Sequence, residues 1–228
     1  MEFLPIVVVA GVFALIGFII YLAHLQQKRR TEAMRALAAR LGWGFEEKAP
    51  LEVVPRPERF ELFTTGRNRR IRNFLSGELD GLGAAVFDYT YVTGSGKSTQ
   101  TWTQTVLYLH AESLDLPSFS LRPENVFHRI AGAFGYQDID LPHRPDFSRK
   151  YLLRGPDEGT VRAAFGDDVV EFYEGRPKCC TEAQGKQVFV WRASRLLRPE
   201  EVPGLLDEGR ELVARLQPEH APERGGVS

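Results

Sequence analysis

The chain has 228 residues, a formal net charge of -1 and 43% apolar residues, with two cysteines. So even a balance gives no global pull toward nucleic acid or other polyanions, and any electrostatic work must come from local clusters. Cys179 and Cys180 are adjacent, where a disulfide is strained and rare, and no further Cys or His stands at metal-ligand spacing. The pair reads as reduced thiols, and neither a metal site nor another cofactor is expected.

Phe3 to Ala23 (FLPIVVVAGVFALIGFIIYLA) carries no charge. At a helical rise of about 1.5 Å per residue it can cross roughly 30 Å of hydrocarbon. Only Met1 and Glu2 precede it and no small-residue cleavage site follows, so an anchor is expected rather than a signal peptide. Lys28, Arg29 and Arg30 follow the span directly, while the amino end has no basic residue. The positive-inside rule then predicts a single-pass inner (plasma) membrane protein with its amino terminus outside and its body in the cytoplasm.

The expected organisation is a transmembrane anchor over 1–25, a juxtamembrane helix over 26–42, an α+β body over 43–217 and a flexible tail over 218–228. In the second segment Met34, Leu37, Ala38 and Leu41 recur at helical spacing and Gly42 is placed to end the helix. Gly42 to Glu47 reads as a first strand, and Phe60 to Thr65 and Ile71 to Ser76 as two more, joined by a turn over Gly66 to Arg69.

Ala84 to Val92 and Thr101 to His110 read as a long antiparallel hairpin. Paired about the loop between them, Phe87, Tyr89 and Tyr91 face Val106, Gln104 and Trp102, while Val86, Asp88 and Thr90 face Leu107, Thr105 and Thr103. Ser118 to Leu121 reads as a strand, and Glu124 to Phe134 as an amphipathic helix that would cover the aromatic face. Then come strands at Asp138 to Leu141 and Tyr151 to Arg154, a helix over Pro156 to Phe165, and strands at Val169 to Glu174 and Gln187 to Arg192. Gly175 to Lys186 between them reads as a loop or poorly marked strand, and a helix from Pro203 to Leu216 closes the body. Together these give an α+β fold: an N-terminal transmembrane helix, then an antiparallel or mixed sheet covered by helices. Two small lobes dividing near Pro142 are the alternative.

The order of features, an amino-terminal span, then FDYTY at Phe87 to Tyr91, QTVLYL at Gln104 to Leu109 and DFSRKYLLRGPDE at Asp146 to Glu158, resembles bacterial membrane-anchored proteins that carry a domain of unknown function. It is also similar to the family DUF3137. The resemblance implies a bacterial membrane location and brings no catalytic residues.

GSGKST at Gly94 to Thr99 suggests a phosphate-binding loop, but the position for its first glycine is Tyr91, and strand-like residues follow where a helix is needed. A hairpin tip without nucleotide is expected. Asp88 among aromatics is a candidate carboxylate of raised pKa, against simple hydrogen bonding to Thr103 or Thr105. Asp138 and Asp140 alternate near His143 and are candidates for acid/base work or cation binding. His110 and His128 read as bordering the core.

Arg56, Arg59, Arg67, Arg69, Arg70 and Arg72 cluster with only Glu58 and Glu61 against them. Beside an anionic leaflet, Arg67, Arg69, Arg70 and Arg72 form a candidate surface for lipid or a protein partner, each basic group contributing about 1 kcal/mol. No stacking aromatics interleave with them, so nucleic acid is not expected as a partner. The sequence therefore favours a membrane-anchored protein-interaction or membrane-surface module without catalysis. The alternative is a membrane-tethered hydrolase using an Asp/His site.

Overall fold

The computed structural model describes residues 3–124 and 138–217, with side-chain surroundings from residue 11 onward. The helix expected over Glu124 to Phe134, His128 and the tail over 218–228 fall outside the described residues.

Helix α1, Phe3–Leu41, runs unbroken through the uncharged stretch and the basic cluster. Its 39 residues span about 58 Å at the helical rise, well beyond a bilayer's hydrocarbon, and it is long and apolar enough to cross one. The two parts of the helix have different surroundings. Phe13, Phe18 and Ile20 stand exposed, whereas Thr31, Met34, Leu37 and Ala38 are buried in the body.

The strands are β1 (Gly44–Ala49), β2 (Arg67–Leu79), β3 (Leu82–Thr93), β4 (Gln100–His110), β5 (Leu116–Pro123), β6 (Tyr151–Arg154), β7 (Cys179–Gly185) and β8 (Gln187–Arg192). They form one eight-stranded sheet in the order β1-β2-β3-β4-β8-β7-β5-β6. Every pairing between neighbours is antiparallel. The short helices are α2 (Glu61–Thr64), α3 (Pro145–Ser148), α4 (Glu158–Ala164) and α5 (Asp167–Glu174), and α6 (Val202–Leu216) is longer. The fold is α+β.

Both sheet faces are buried, which explains why β3 and β4 are apolar on alternate and intervening positions alike. One face, with Val86, Leu107, Leu109, Val188 and Val190, packs against Met34 and Leu37 of α1 and against α4, α5 and α6. Gly209 of α6 lies so close to β4 that a Cβ there would stand 2.3 Å from Leu107, so glycine permits the approach. The other face, with Phe87, Tyr89, Val106, Tyr108, Phe189 and Trp191, lies beneath Val54, Phe60, Leu62 and Phe63. The aromatic face of the hairpin is thus covered by the segment before β2. Phe63 meets Tyr89 edge-on at 5.1 Å between ring centroids.

The β3–β4 hairpin has the expected register, with Phe87 opposite Val106, Asp88 opposite Thr105 and Tyr91 opposite Trp102. Its tip holds a single 3-10 turn, Gly96–Ser98, and the chain continues into β4 rather than a helix.

Five expectations need correction or sharpening. Phe60 to Thr65 is not a strand: Glu61–Thr64 makes one helical turn that inserts Leu62 and Phe63 into the aromatic core. The turn expected over Gly66 to Arg69 is instead the start of β2, which begins at Arg67. Val169 to Glu174 is helical, because Val169, Val170, Phe172 and Tyr173 share one buried side at helical spacing, with Asp167 and Asp168 in the first turn. Gly175 to Lys186 contains the interior strand β7, held by pairing to β5 and β8 on both sides rather than by apolar alternation. Asp138 to Leu141 reduces to one bridge, Asp138 to Arg154.

β7 also separates the two cysteines. Cys179 joins the helix-covered core and Cys180 the aromatic core, so the pleat sends their thiols to opposite faces. Both are free and buried, and burial pushes them up to about 12 and about 11, far from reactive thiolates.

Candidate functional site at the membrane-proximal junction

Arg30 lies in the part of α1 that enters the body, about 10 Å beyond Ala23 at the helical rise. Its guanidinium grips Asp88 of β3 as a fork, with Nε 2.7 Å from Oδ2 and Nη2 2.6 Å from Oδ1, while Nη1 donates to the Leu197 carbonyl at 2.7 Å. Asn73 Nδ2 donates to Oδ2 at 2.7 Å and Thr105 Oγ1 to Oδ1 at 3.2 Å. The Thr105 hydroxyl accepts the Leu197 amide in turn, at 3.0 Å.

Local backbone geometry makes this possible. β2 carries an irregularity between Arg72 and Leu75, where Asn73 takes φ 48, and the bulge turns its side chain toward Asp88. Asp88 is therefore an internal clamp for the anchoring helix, with its oxygens satisfied and only 5% of its surface exposed. Arg30, which the sequence reading assigns to the basic cluster after the span, is spent inward. A body cut free at Thr31 would carry Asp88 buried without its cation.

The other candidate carboxylates lie elsewhere. Asp138 is exposed and accepts from Arg154 Nε at 2.8 Å beside edge strand β6, five strand positions from β3, or about 24 Å. Asp140 and His143 are exposed on the following loop. Asp88 thus does not meet the Asp138, Asp140 and His143 group. Among the described residues no group of three or more His, Cys, Asp or Glu could hold a metal ion. His110, expected against the core, is exposed and stacks on Tyr108 at 5.1 Å.

Arg67 reaches across to the hairpin tip and donates to the Gly94 carbonyl, while Arg69 folds back on its own turn and donates to the carbonyls of Thr64, Thr65 and Gly66. Arg70 and Arg72, with Arg69 at the margin, line a depression of about 340 Å³ together with Lys48. Lys48 and Arg72 continue into a second of about 510 Å³, walled on the α1 side by His24, Gln27, Lys28, Thr31, Glu32 and Arg35. The Arg35 guanidinium sits 5.1 Å from the Phe45 ring centroid. Lys28, Arg35 and Lys48 carry no signal for this surface in the sequence, because they meet Arg72 only once α1 docks against β1 and β2 pairs with β1.

A second polar cluster escaped the sequence reading altogether. On the aromatic face Arg122 Nη2 lies 2.5 Å from Glu182 Oε1 and 3.3 Å from Glu61 Oε2, and its guanidinium stands 5.6 Å from the Trp191 ring. Glu182 also accepts the Leu62 amide, at 3.1 and 3.2 Å. Burial works against the Arg122 charge, but Glu182 and Glu61 outweigh it and hold its pKa above the ordinary value. Burial raises the Glu61 carboxyl, Arg122 opposes this, Glu182 reinforces it and Arg154 opposes it further. Beside the cluster is a cleft of about 80 Å³, lined in part by Glu61, Ser118, Ser120 and Glu182. Glu61 looks like a surface counterion in sequence, and only the α2 turn sends it inward.

No family profile matches the chain, and no curated protein does. One solved structure does. It is the mycobacterial trehalose monomycolate transport factor A, TtfA, with a TM-score of 0.57 at 14% identity, covering 82% of this chain and 96% of that one. At this identity the likeness concerns the fold alone, and the fold is shared over nearly the whole of that solved chain.

Proposed function

We propose that the chain is a single-pass membrane protein whose α+β body lies in the cytoplasm and serves, without catalysis, as an accessory module for a membrane-embedded partner. The observation that carries this is the unbroken passage of α1 into the core, locked by the Arg30 and Asp88 pair. An enzyme acting on a soluble substrate gains nothing from a fixed angle to the bilayer. A module that must present one face to a membrane partner does. The separation of Asp88 from the Asp138, Asp140 and His143 group weighs against the hydrolase alternative, and a transport factor of this fold supports an assisting role.

Two measurements test the proposal. Six Gly/Ser residues inserted after Ala23 leave Arg30 and the core intact while freeing the body to swivel. A membrane protein that co-purifies with the intact chain should be lost with the insertion; equal recovery, or none from the intact chain, overturns the reading. For orientation the native cysteines cannot report, being buried. A cysteine placed at exposed Lys97 should resist a membrane-impermeant thiol reagent in intact cells and react once the membrane is opened.

A further inference from the structure

We infer that the paired depressions between α1, β1 and β2 form a binding site for the phosphate-bearing headgroup of an anionic phospholipid in the leaflet that α1 enters. This rests on α1 being a membrane span, and it stands whether or not a protein partner exists.

The first observation is position. His24, Gln27, Lys28, Thr31 and Arg35 wall the groove on consecutive turns directly after Ala23, so they rise from the hydrocarbon boundary to about 18 Å above it. The headgroup layer occupies roughly the first 5–8 Å of that height. The groove opens where lipid phosphates lie, and the clamp at Arg30 keeps it there.

The second observation is the state of the charges. Lys28, Arg35, Lys48, Arg70 and Arg72 have no carboxylate within ion-pair distance among the described residues, although Glu32 and Glu47 share the wall. Elsewhere most arginines are matched: Arg144 with Asp167 and Glu171, Arg176 with Glu211, Arg192 with Glu208, and Arg210 with Asp80. A cationic groove left unmatched by its own chain suits an external anion. Lys28 and Lys48 offer mobile point charges and Arg72 a planar fork of donors, which together suit phosphate oxygens.

The third is that the groove is built from separate elements. Arg72 lies opposite Lys48 across the β1–β2 ladder, and Phe45 of the same strand holds Arg35. The site therefore exists only when helix and sheet are docked, and free lipid should strengthen that docking.

The test uses the full chain in detergent micelles and counts retained lipids by native mass spectrometry. With phosphatidylglycerol the expected result is a one-lipid adduct, at least about tenfold more abundant than with phosphatidylcholine at equal concentration. Lys28→Ser, Lys48→Ser and Arg72→Ser combined should remove that preference. Lys97→Ser, Arg149→Ser and Lys186→Ser, which delete as many exposed charges elsewhere, should leave it. The three replaced side chains are exposed or half-exposed, so an unchanged thermal midpoint confirms that the variant is folded. An equal phosphatidylcholine adduct, or loss of preference in the distant variant as well, overturns the inference. So does displacement by millimolar inorganic phosphate, which would assign the groove to a soluble anion.

Discussion

Two buried ionic clusters occupy opposite faces of one sheet and differ in stoichiometry. At the α1 junction one guanidinium meets one carboxylate, and Asn73 and Thr105 supply the remaining donors to Asp88. Under α2 one guanidinium, Arg122, contacts two carboxyl groups, Glu61 and Glu182, and Arg154 adds a smaller attraction on Glu61. A matched pair gains from every bond it makes once desolvated, whereas two buried carboxyls that share one contacting cation compete for it, and burial drives the more weakly held one toward its protonated form. The first cluster therefore behaves as a fixed joint and the second as a joint whose strength varies with pH.

The largest expected effect is on the matched joint. Arg30→Leu leaves Asp88 buried without its cation, and full-chain unfolding in urea and detergent should show a loss of about 3–5 kcal/mol. A loss below about 1 kcal/mol would mean that the body is held to the helix by Met34 and Leu37 alone.

Asn73→Ala should cost about 2 kcal/mol, because it removes a bond to a charged group and places a Cβ at φ 48 without a side chain that tolerates it. Asn73→Gly separates the two contributions. It keeps the bulge relaxed, so its cost in the same assay should be smaller, and an equal cost would remove strain from the account.

The unmatched cluster should respond through pH. Glu61 has a pKa raised above its ordinary 4.5, so the native state holds that proton more tightly than the unfolded chain. Its contribution is complete below pH 4.5 and is lost as pH rises through the folded value. Glu61→Gln, which imitates the protonated form, should flatten that decline while leaving acid-side stability near the parent's. Parallel stability-versus-pH curves would show that Glu61 is ionised in the fold.

The smallest effect belongs to a residue in neither cluster. Lys97→Ala at the hairpin tip should change stability by less than about 0.5 kcal/mol and leave thermal stability in ATP or GTP equal to the parent's. A nucleotide-dependent shift abolished by the substitution would restore the phosphate-loop reading of Gly94 to Thr99.

By itself the sequence determined whatever depends on near neighbours. The uncharged run of α1, the stripe of Met34, Leu37 and Ala38, the β3–β4 register and the helix ending at Leu216 all follow from spacing within one element, and the structure has each of them. The candidate Asp88 was legible too, down to its bond with Thr105, because a hairpin register is a local property. Tertiary structure alone decided the elements whose local signals conflict. FELFT is apolar and polar in alternation like a strand, yet it turns helical to bring Phe63 onto Tyr89. CCTEAQG has no clear period, yet two neighbouring strands satisfy its backbone and make it interior. The functional surfaces fall in this second class. Arg30 meets Asp88 across 58 residues of chain, Arg122 meets Glu182 across 60, and Lys28, Lys48 and Arg72 share a groove only once α1 docks on β1 and β2. Such meetings are set by sheet order and helix docking, which arise from burying two apolar faces at once and leave no pattern in any short stretch of sequence.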